Sequence, residues 1–418
     1  MSREYDVIIL GATGFTGQLV VDYLVKRYGC GKSGSGKSGA EKNSVGKTLK
    51  WAIAGRSENK LKALAKGIEN LDFIIANSDD AKSIKNLVQR TKVICTTVGP
   101  YAMYGSVIVE ACVEFGTDCC DLTGEVHWMR KMIDQHQTAA ENSGARIVHT
   151  CGFDSIPSDL GVHFLQNRME EKHGLMAQEV KFRVAKMAGG MSGGTVASMM
   201  NMMDEMKEDP ELAQLMQDPY ALDPRNMPRG QDENDQMGAR YDEDAKQWTA
   251  PFIMAGINTR VVRRTNALSN YRYGKDFRYS ESMFTGAGIS GRIKASLISF
   301  ASGVFMAISY FSFSRSILQK FVPAPGEGPS PETIENGFFE ITLLGKHPTE
   351  AAKNICVKVT GDKDPGYGAT SKMLVESAVC LAHDELNVKG GFWTPSTAMG
   401  NALITRLRAN AGMEFEVI

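Results

Sequence analysis

A glycine-rich stretch near the start of the chain has the composition of a phosphate-binding turn. The segment GATGFTG follows the apolar run VIIL and precedes an amphipathic helical pattern. Gly11 permits a tight turn, Gly14 lets the backbone approach a pyrophosphate, and Gly17 allows close packing of helix on strand. The spacing G-x-x-G-x-x-G in this context predicts dinucleotide binding; the alternative is a purely structural glycine turn. The remaining residues of the predicted site in this turn are Thr13, Phe15 and Thr16.

The ends of the following strands indicate which dinucleotide is bound. The second predicted strand, KWAIAGR, ends in Arg56 and Ser57 instead of an acidic residue that would bind a ribose 2′-hydroxyl. A guanidinium can hold a 2′-phosphate through paired hydrogen bonds, so NADP(H) is favoured over NAD(H). Alternatively, the guanidinium only stacks on adenine. We expect Asp79 to meet the adenine edge, and Val98 and Gly99 to line the nicotinamide ribose.

Two other motif matches lack the structural context that their chemistry requires. GKSGSGKS, Gly31–Ser38, fits a nucleotide phosphate loop but follows a helix and precedes no helical pattern. YRYGK, Tyr271–Lys275, fits the tyrosine–lysine pair of short-chain dehydrogenases but contains a glycine and lies in a strand-rich region. His127, His136 and His149 show no ligand spacing, so we expect no metal site.

The first third of the chain alternates apolar strands with helical patterns, which predicts an α/β fold. Its strands are fully apolar, as in a doubly wound parallel sheet that is covered on both faces. We therefore predict a dinucleotide-binding Rossmann domain over 1–155, with a flexible cationic insert at 29–47. Residues 365–418 are predicted to be C-terminal helices that pack back on this domain.

The middle of the chain, 156–364, is predicted to be a second α+β domain for substrate binding or dimerisation, inserted before the C-terminal helices. It contains strand-like runs, among them TRVVRRTNAL, and an antiparallel sheet is expected. An acidic excursion at 204–246 is predicted to be solvated and partly disordered, with one or two helices.

One uncharged segment, 295–314, has two interpretations. As a helix it would be ~30 Å long, about the thickness of one hydrocarbon core. Arg292 and Lys294 precede it, and its six serines reduce its hydrophobicity. It is either a buried core helix or a segment that docks on a bilayer or a lipid surface.

The composition restricts the class of protein and indicates its cellular compartment. The 418 residues carry a formal net charge of -1, which gives no reason to expect nucleic-acid binding. The eight cysteines include no C-x-x-C pair, as is typical of a reduced intracellular chain. The first residues read as a strand, so we expect no secretory signal and no secretion.

Nine short sequences occur in order along the chain, from about Tyr5 to Leu407. They are GATGFTG, AGRS, TTVGPY, CDLTGE, GFDSIPSDLG, SGGTVAS, PGEGPSPE, DPGYGATSKMLVESA and GGFWTPSTAMGNAL. Together they resemble the saccharopine dehydrogenase-like oxidoreductases, a family that includes the trans-acting enoyl reductases of lipid assembly. The resemblance implies NAD(P)H-dependent activity on lipid-like or poorly defined substrates. It also implies a location at the cytoplasmic face of a membrane or lipid droplet, and leaves a mitochondrial location open.

The resemblance also implies site residues on this chain. VGPY would place Pro100 and Tyr101 beside the nicotinamide, and DLTGE and GFDSIPSD would place acidic residues at the carboxyl edge of the sheet. The candidate proton donors for a hydride transfer are Tyr101, Asp121, Glu125 and Asp154. Each of them could instead cap a helix or tie the domains together.

These observations predict an NADP(H)-preferring oxidoreductase that transfers hydride to a C=C, C=O or C=N bond of an acyl or lipid-like substrate, with a homodimer left open. One alternative is a saccharopine or amino-acid dehydrogenase. Such an enzyme would need arginine side chains that converge on the carboxylates of its substrate. Arg260, Arg263 and Arg264 are the candidates, but on a strand Arg263 and Arg264 would point to opposite faces. The other alternative is a non-enzymatic lipid-surface protein that retains a nucleotide-binding fold.

Overall fold

The computed structural model describes residues 3–30, 48–190, 193–310 and 327–418, which form two units. One unit comprises Met1–Ile156 and Gly366–Gly412, and the other comprises Pro157–Pro365 and Met413–Ile418. The connector that contains Gly31–Ser38 lies outside the described residues, as does the end of the segment 295–314.

The first unit begins with alternating strands and helices. The strands are β1 (Tyr5–Leu10), β2 (Trp51–Gly55), β3 (Asp72–Ile75), β4 (Thr91–Thr96), β5 (Asp118–Cys120) and β6 (Arg146–Val148). The helices are α1 (Phe15–Tyr28), α2 (Glu58–Ala65), α3 (Ala81–Val88), α4 (Tyr101–Phe115) and α5 (Val126–Ser143).

The second unit has a longer strand set. Helix α6 (Ile156–His173) leads into it. Its strands are β7 (Glu179–Ala188), β8 (Arg240–Asp242), β9 (Gln247–Ala250), β10 (Arg278–Gly286), β11 (Phe338–Lys346) and β12 (Ile355–Gly361). Its helices are α7 (Gly193–Glu208), α8 (Pro210–Gln217), α9 (Ala255–Leu268), α10 (Gly288–Tyr310) and α11 (Pro331–Asn336).

The chain then returns to the first unit and ends in the second. The return comprises α12 (Thr370–His383), β13 (Gly391–Trp393), α13 (Pro395–Ala398) and α14 (Gly400–Asn410). The last strand, β14 (Met413–Val417), pairs with β12 in the second unit. The tail is therefore not only helical, since two short strands each extend a different sheet.

The first sheet is parallel, in the order β13-β6-β5-β4-β1-β2-β3. Its strand order reverses between β1 and β4, so the loops that follow these two strands flank a topological switch point. The central strands are fully buried apolar runs, because helices cover both faces of a doubly wound sheet. The predicted doubly wound α/β fold is confirmed.

The second sheet is mixed, in the order β14-β12-β11-β7-β10-β9-β8. Strands β7 and β10 run parallel and the other neighbours run antiparallel, so the expectation of an antiparallel sheet was too simple. Strands β11 and β12 alternate buried and partly exposed residues, as expected for a sheet with one face on the core.

The prediction of a strand over TRVVRRTNAL is wrong, because these residues belong to helix α9. Arg260, Arg263 and Arg264 have the spacing i, i+3, i+4, which places them on one side of a helix. All three side chains are buried against the acidic excursion. Arg260 pairs with Asp235, and Arg263 pairs with Asp232 at 2.6 Å.

The arginines of α9 thus anchor a segment that was expected to be solvated. Arg263 also donates to the Pro219 carbonyl oxygen at 3.0 Å, and Arg264 donates to that of Leu222. A buried guanidinium needs several acceptors to offset its lost hydration, and this stretch of the excursion supplies them.

Candidate functional site

The turn after β1 has room only for glycine at its first position. Gly11 has a φ of +92°, and a Cβ added there would lie 2.8 Å from the Thr97 Oγ1 and 2.9 Å from a methyl carbon of Val98. The loop after β4 is therefore in direct contact with the glycine turn. Hydrogen bonds from Thr97 to the Leu10 carbonyl oxygen (2.9 Å) and from the Thr97 hydroxyl to that of Gly11 (3.2 Å) fix this contact.

The first turn of α1 is shaped for a ligand. A Cβ on Gly17 would lie 2.2 Å from the Gly11 carbonyl oxygen, so only glycine lets the helix begin so close to the strand. Gly14 is exposed, and a Cβ added there would lie 3.4 Å from the Gly11 carbonyl oxygen, an ordinary van der Waals contact. No side chain caps this helix. Its first N–H groups and its dipole thus remain available for an anion, as a pyrophosphate site requires.

The other three residues predicted within this turn, Thr13, Phe15 and Thr16, lie in the turn and at the start of α1. Phe15 packs edge-on against Tyr367, with ring centroids 5.3 Å apart, and Thr16 is partly exposed. Thr13 is also partly exposed, and its main-chain oxygen accepts a hydrogen bond from Gln18. These positions place the whole glycine turn at one accessible site.

Arg56 follows β2 and has an exposed side chain that makes no ion pair with any described residue. A guanidinium left without a protein partner at this strand end can bind a 2′-phosphate with both of its N–H edges. Ser57 has a structural task, because its hydroxyl caps helix α2 by accepting from the Lys60 N–H. Asp79 is exposed after β3, and its N–H donates to the Asn77 side chain at 3.2 Å.

The loop Val98–Pro100 lies beside the glycine turn. The Val98 N–H donates to the Thr96 hydroxyl at 3.2 Å, and Gly99 is exposed. Because this loop and the glycine turn flank the switch point of the sheet, they form the crevice where open α/β sheets bind ligands.

Two of the four candidate proton donors are held in structural hydrogen bonds. The Glu125 carboxylate accepts from the N–H groups of Tyr101 and Ala102, at 2.9 and 2.7 Å, and so caps helix α4. The Tyr101 hydroxyl donates to the Thr96 carbonyl oxygen and accepts from the Leu122 N–H. Burial, together with the charge of Asp121, raises the pKa of Tyr101 well above its usual value. This geometry favours positioning roles for both residues.

Asp121 forms a buried pair with a histidine that the sequence did not single out. One of its carboxylate oxygens lies 2.6 Å from His149 Nδ1, and the two side chains are 1% and 3% exposed. The partners come from the ends of the adjacent strands β5 and β6. A lone histidine directly after a predicted strand, in ARIVHTCGFD, was the available signal.

Asp154 is the candidate whose carboxyl remains available. It follows β6, and no side chain among the described residues hydrogen-bonds it. The residue as a whole is partly exposed, while its carboxyl lies among protein atoms. Burial, assisted by the charge of Asp121, raises its pKa to about 7. A carboxyl with this proton affinity can donate a proton near neutral pH.

The glycine turn, Arg56, the Val98 loop, Asp121 and Asp154 all follow strands of one parallel sheet, so they share its carboxyl edge. A glycine turn that has no room for a Cβ, a helix without a side-chain cap, and a guanidinium without an ion pair in the described part of the chain together fit a phosphorylated dinucleotide. Among the described residues, no cluster of His, Cys, Asp and Glu could hold a metal ion.

The sequence and fold of this chain are similar to those of known proteins. The model of the saccharopine dehydrogenase NADP-binding domain matches residues 7–148. A protein of Mycobacterium tuberculosis is 36% identical, over 99% of this chain and 97% of its own. Proteins named trans-acting enoyl reductase from Mycobacterium ulcerans and Mycobacterium bovis are 35% and 34% identical, each over 97% of this chain and 96% of their own. A saccharopine dehydrogenase structure from Saccharomyces cerevisiae superimposes with a TM-score of 0.49 at 12% identity, over 99% of this chain and 100% of that chain.

The fold and the site define an NADP-binding oxidoreductase. The chain belongs to the saccharopine dehydrogenase-like oxidoreductase family, which its sequence resembles from end to end. The predicted cofactor, NADP(H), and the predicted enzyme class are confirmed.

Proposed function

We propose that the protein uses NADPH to reduce an unsaturated bond of an acyl or lipid-like substrate, as its relatives named trans-acting enoyl reductases would reduce a C=C bond. The observation that carries this proposal is the Asp154 carboxyl, which lies at the carboxyl edge of the first sheet, has no side-chain partner among the described residues, and has its pKa raised to about 7 by burial. Reduction needs both a hydride and a proton, and this group is suited to supply the proton.

Different residues of the chain would bind the cofactor and supply the proton. The N–H groups at the start of α1 would hold the pyrophosphate, and Arg56 would hold the 2′-phosphate. When bound, NADPH supplies the hydride that is added to one carbon of the double bond. Asp154 gives its proton to the other carbon, or to the oxygen or nitrogen of a C=O or C=N bond, and is then reprotonated from solvent. The products are the saturated substrate and NADP⁺.

An assay with purified protein tests this proposal. We expect oxidation of NADPH, more readily than of NADH, with 2-enoyl thioesters of increasing acyl length. Gly14→Asp should abolish it, because a carboxylate would oppose the pyrophosphate. Reduction of NADP⁺ by saccharopine instead would make the protein an amino-acid dehydrogenase. Tight NADPH binding without turnover on either class of substrate would favour a non-enzymatic, lipid-surface role.

We further propose that helix α10 seats the enzyme on a lipid surface inside the cell, such as a membrane or a lipid droplet. A span of this helix, Gly288–Ile308, is long and apolar enough to cross a membrane, and only 11% of its most apolar window is buried. Leu297 and Phe300 are 62% and 72% exposed. This exposure argues against the alternative of a buried core helix.

The distribution of apolar groups on α10 favours lipid over a protein partner. From Ser296 to Ile308 every described position is exposed or partly exposed, so apolar side chains face outward on all sides and not along one seam. At its start, Arg292 stacks on Trp248 at 5.4 Å, a pairing suited to the headgroup region. A bilayer would cover such a helix on all sides.

Vesicle flotation tests this second proposal. Leu297→Asp with Phe300→Asp should abolish flotation with anionic phospholipid vesicles. Met237→Asp with Ile253→Asp is the matched control, because these apolar residues are also exposed, at 75% and 64%, but lie elsewhere. If both double variants float like the wild type, the proposed docking of α10 on a lipid surface is refuted. A concentration-dependent dimer that only the α10 variant loses would assign the helix to a second copy.

A further inference from the structure

The Asp121–His149 pair is buried at the carboxyl edge of the first sheet, with aromatic side chains around the histidine ring. The His149 ring lies between Trp128 and Phe392, with centroid distances of 5.0 and 5.7 Å. Its Nδ1 is 2.6 Å from an Asp121 oxygen, and its Nε2 makes no hydrogen bond to any described residue. The aromatic contacts fix the plane of the ring, and the ring in turn fixes the carboxylate.

Asp121 also holds the turn that leads to Asp154. Its second oxygen accepts from the N–H groups of Thr123 (3.0 Å) and Thr150 (3.3 Å), and its main-chain oxygen accepts from Cys151 (2.7 Å). Thr150 has a φ of +59°, an unfavourable conformation for a β-branched residue. Such strain persists only where the surroundings hold it in place, and Asp121 provides that hold.

The charge of Asp121 reaches the proposed proton donor. Both carboxylate oxygens of Asp121 make hydrogen-bond contacts, and its charge raises the pKa values of Asp154 and Tyr101. The other charges that raise the pKa of Tyr101 are those of Asp154 and Glu125, and the Glu125 carboxylate accepts hydrogen bonds from the N–H groups at the start of α4. The charge that raises the pKa of Asp154 is that of Asp121.

We propose that Asp121 and His149 form a positioning pair that keeps Asp154 protonated, and so ready to donate, at neutral pH. His149 and the turn N–H groups hold the negative charge of Asp121 in place, and this charge opposes ionisation of Asp154. The role of the pair rests on the proposed function, since it prepares the acid of that reaction.

The titration of Asp154 tests the pair directly. In protein saturated with NADP⁺ and labelled with ¹³C at the aspartate carboxyls, the Asp154 signal is assigned by its loss in Asp154→Asn. Asp121→Asn should lower the titration midpoint of Asp154 by about 0.5 to 1 pH unit, because a like charge is removed while burial remains. The alkaline limb of the pH–rate profile should shift to lower pH by the same amount.

His149→Asn is the matched control, because its amide can donate to Asp121 in place of Nδ1. It should leave the midpoint of Asp154 close to that of the wild type. If this variant loses turnover with the midpoint unmoved, His149 itself is the acid and the proposal is overturned. A folded Asp121→Asn protein with an unchanged midpoint overturns it equally.

The wild-type titration decides the case if Asp121→Asn does not fold. An Asp154 signal that is already ionised at about pH 6 contradicts the pair's role, and a midpoint near neutrality with Asp121 ionised throughout supports it. Because this readout needs no substrate, the predicted shift in a protein that reduces no enoyl thioester would refute the proposed function alone.

Discussion

Two buried carboxyls, one in each unit, have the same proton affinity but different surroundings. Burial raises the pKa of Asp154 in the first unit and of Glu281 in the second to about 7. Glu281 is 2% exposed and accepts hydrogen bonds from the Tyr279 hydroxyl (2.6 Å) and the Asn258 amide (2.9 Å). Asp154 keeps contact with solvent and has no side-chain partner among the described residues. A raised pKa therefore marks a functional acid only where the carboxyl remains accessible and unpartnered.

The arginines of the two units differ in the same way. Arg56 is exposed at a strand end and makes no ion pair within the described chain. Arg260 and Arg263 are buried on α9 and are neutralised by Asp235 and Asp232. The first unit thus presents groups that need a ligand, whereas the polar core around α9 satisfies its own charges.

The largest expected effect separates the two carboxyls by catalysis. Asp154→Asn should lower turnover by about 10²- to 10⁴-fold, the usual contribution of a positioned general acid, with NADPH affinity unchanged. Glu281→Gln should leave turnover within about twofold of wild type, because Glu281 is buried and both of its carboxyl oxygens already accept hydrogen bonds. Steady-state kinetics with an enoyl thioester measures both. Equal losses in the two variants would remove the distinction.

Breaking a neutralised pair on α9 should cost stability and not cofactor binding. Arg263→Ala leaves Asp232 buried without its cation, and we expect a loss of about 3–5 kcal/mol in unfolding free energy. The control is Arg272→Ala, whose partner Glu170 is half exposed, with an expected loss of about 0–1 kcal/mol. Denaturant unfolding monitors both, and similar losses would contradict the role given to the buried arginines.

The pH dependence of the free energy of unfolding should reveal the raised pKa of Glu281. Its folded pKa is raised from 4.5 to about 7, so its contribution is fully present below about pH 4.5 and is lost as pH rises through about 7. Glu281→Gln lacks this loss. Its stability relative to wild type should therefore rise by on the order of 3 kcal/mol between about pH 4 and about pH 8. A constant difference across that range would show that Glu281 is ionised in the fold.

The smallest expected effect concerns the unpaired guanidinium. Arg56→Ala should weaken NADPH binding by about tenfold to a hundredfold, the value of hydrogen bonds to a charged phosphate, and leave the fold intact. NADH affinity is the internal control and should not change. Fluorescence titration with each dinucleotide provides the comparison. A parallel loss for both would place Arg56 on the adenine ring instead of the 2′-phosphate.

The sequence was sufficient to predict those features that depend on residues close together along the chain. The glycine turn and Arg56 directly follow predicted strands, so their place at the sheet edge needs only the βα pattern. Helix α9 was missed because Val261 and Val262 favour strands locally, while tertiary burial of the arginines decides the structure.

Contacts between distant residues could not be predicted. Asp121 and His149 lie 28 positions apart and meet only because β5 and β6 are neighbours in the sheet. Strand β13 has three residues, Gly391–Trp393, too few to show a period.

Product analysis with a labelled cofactor tests the central claim, that the carboxyl edge of the first sheet performs reduction. The wild-type enzyme would convert an enoyl thioester with NADPH deuterated at its transferable C4 position. We predict one deuterium on the carbon distal to the thioester carbonyl and one solvent proton on the carbon next to it. In Asp154→Asn the same product should form at the reduced rate. Product without cofactor deuterium, or equal rates in the two proteins, would contradict the account.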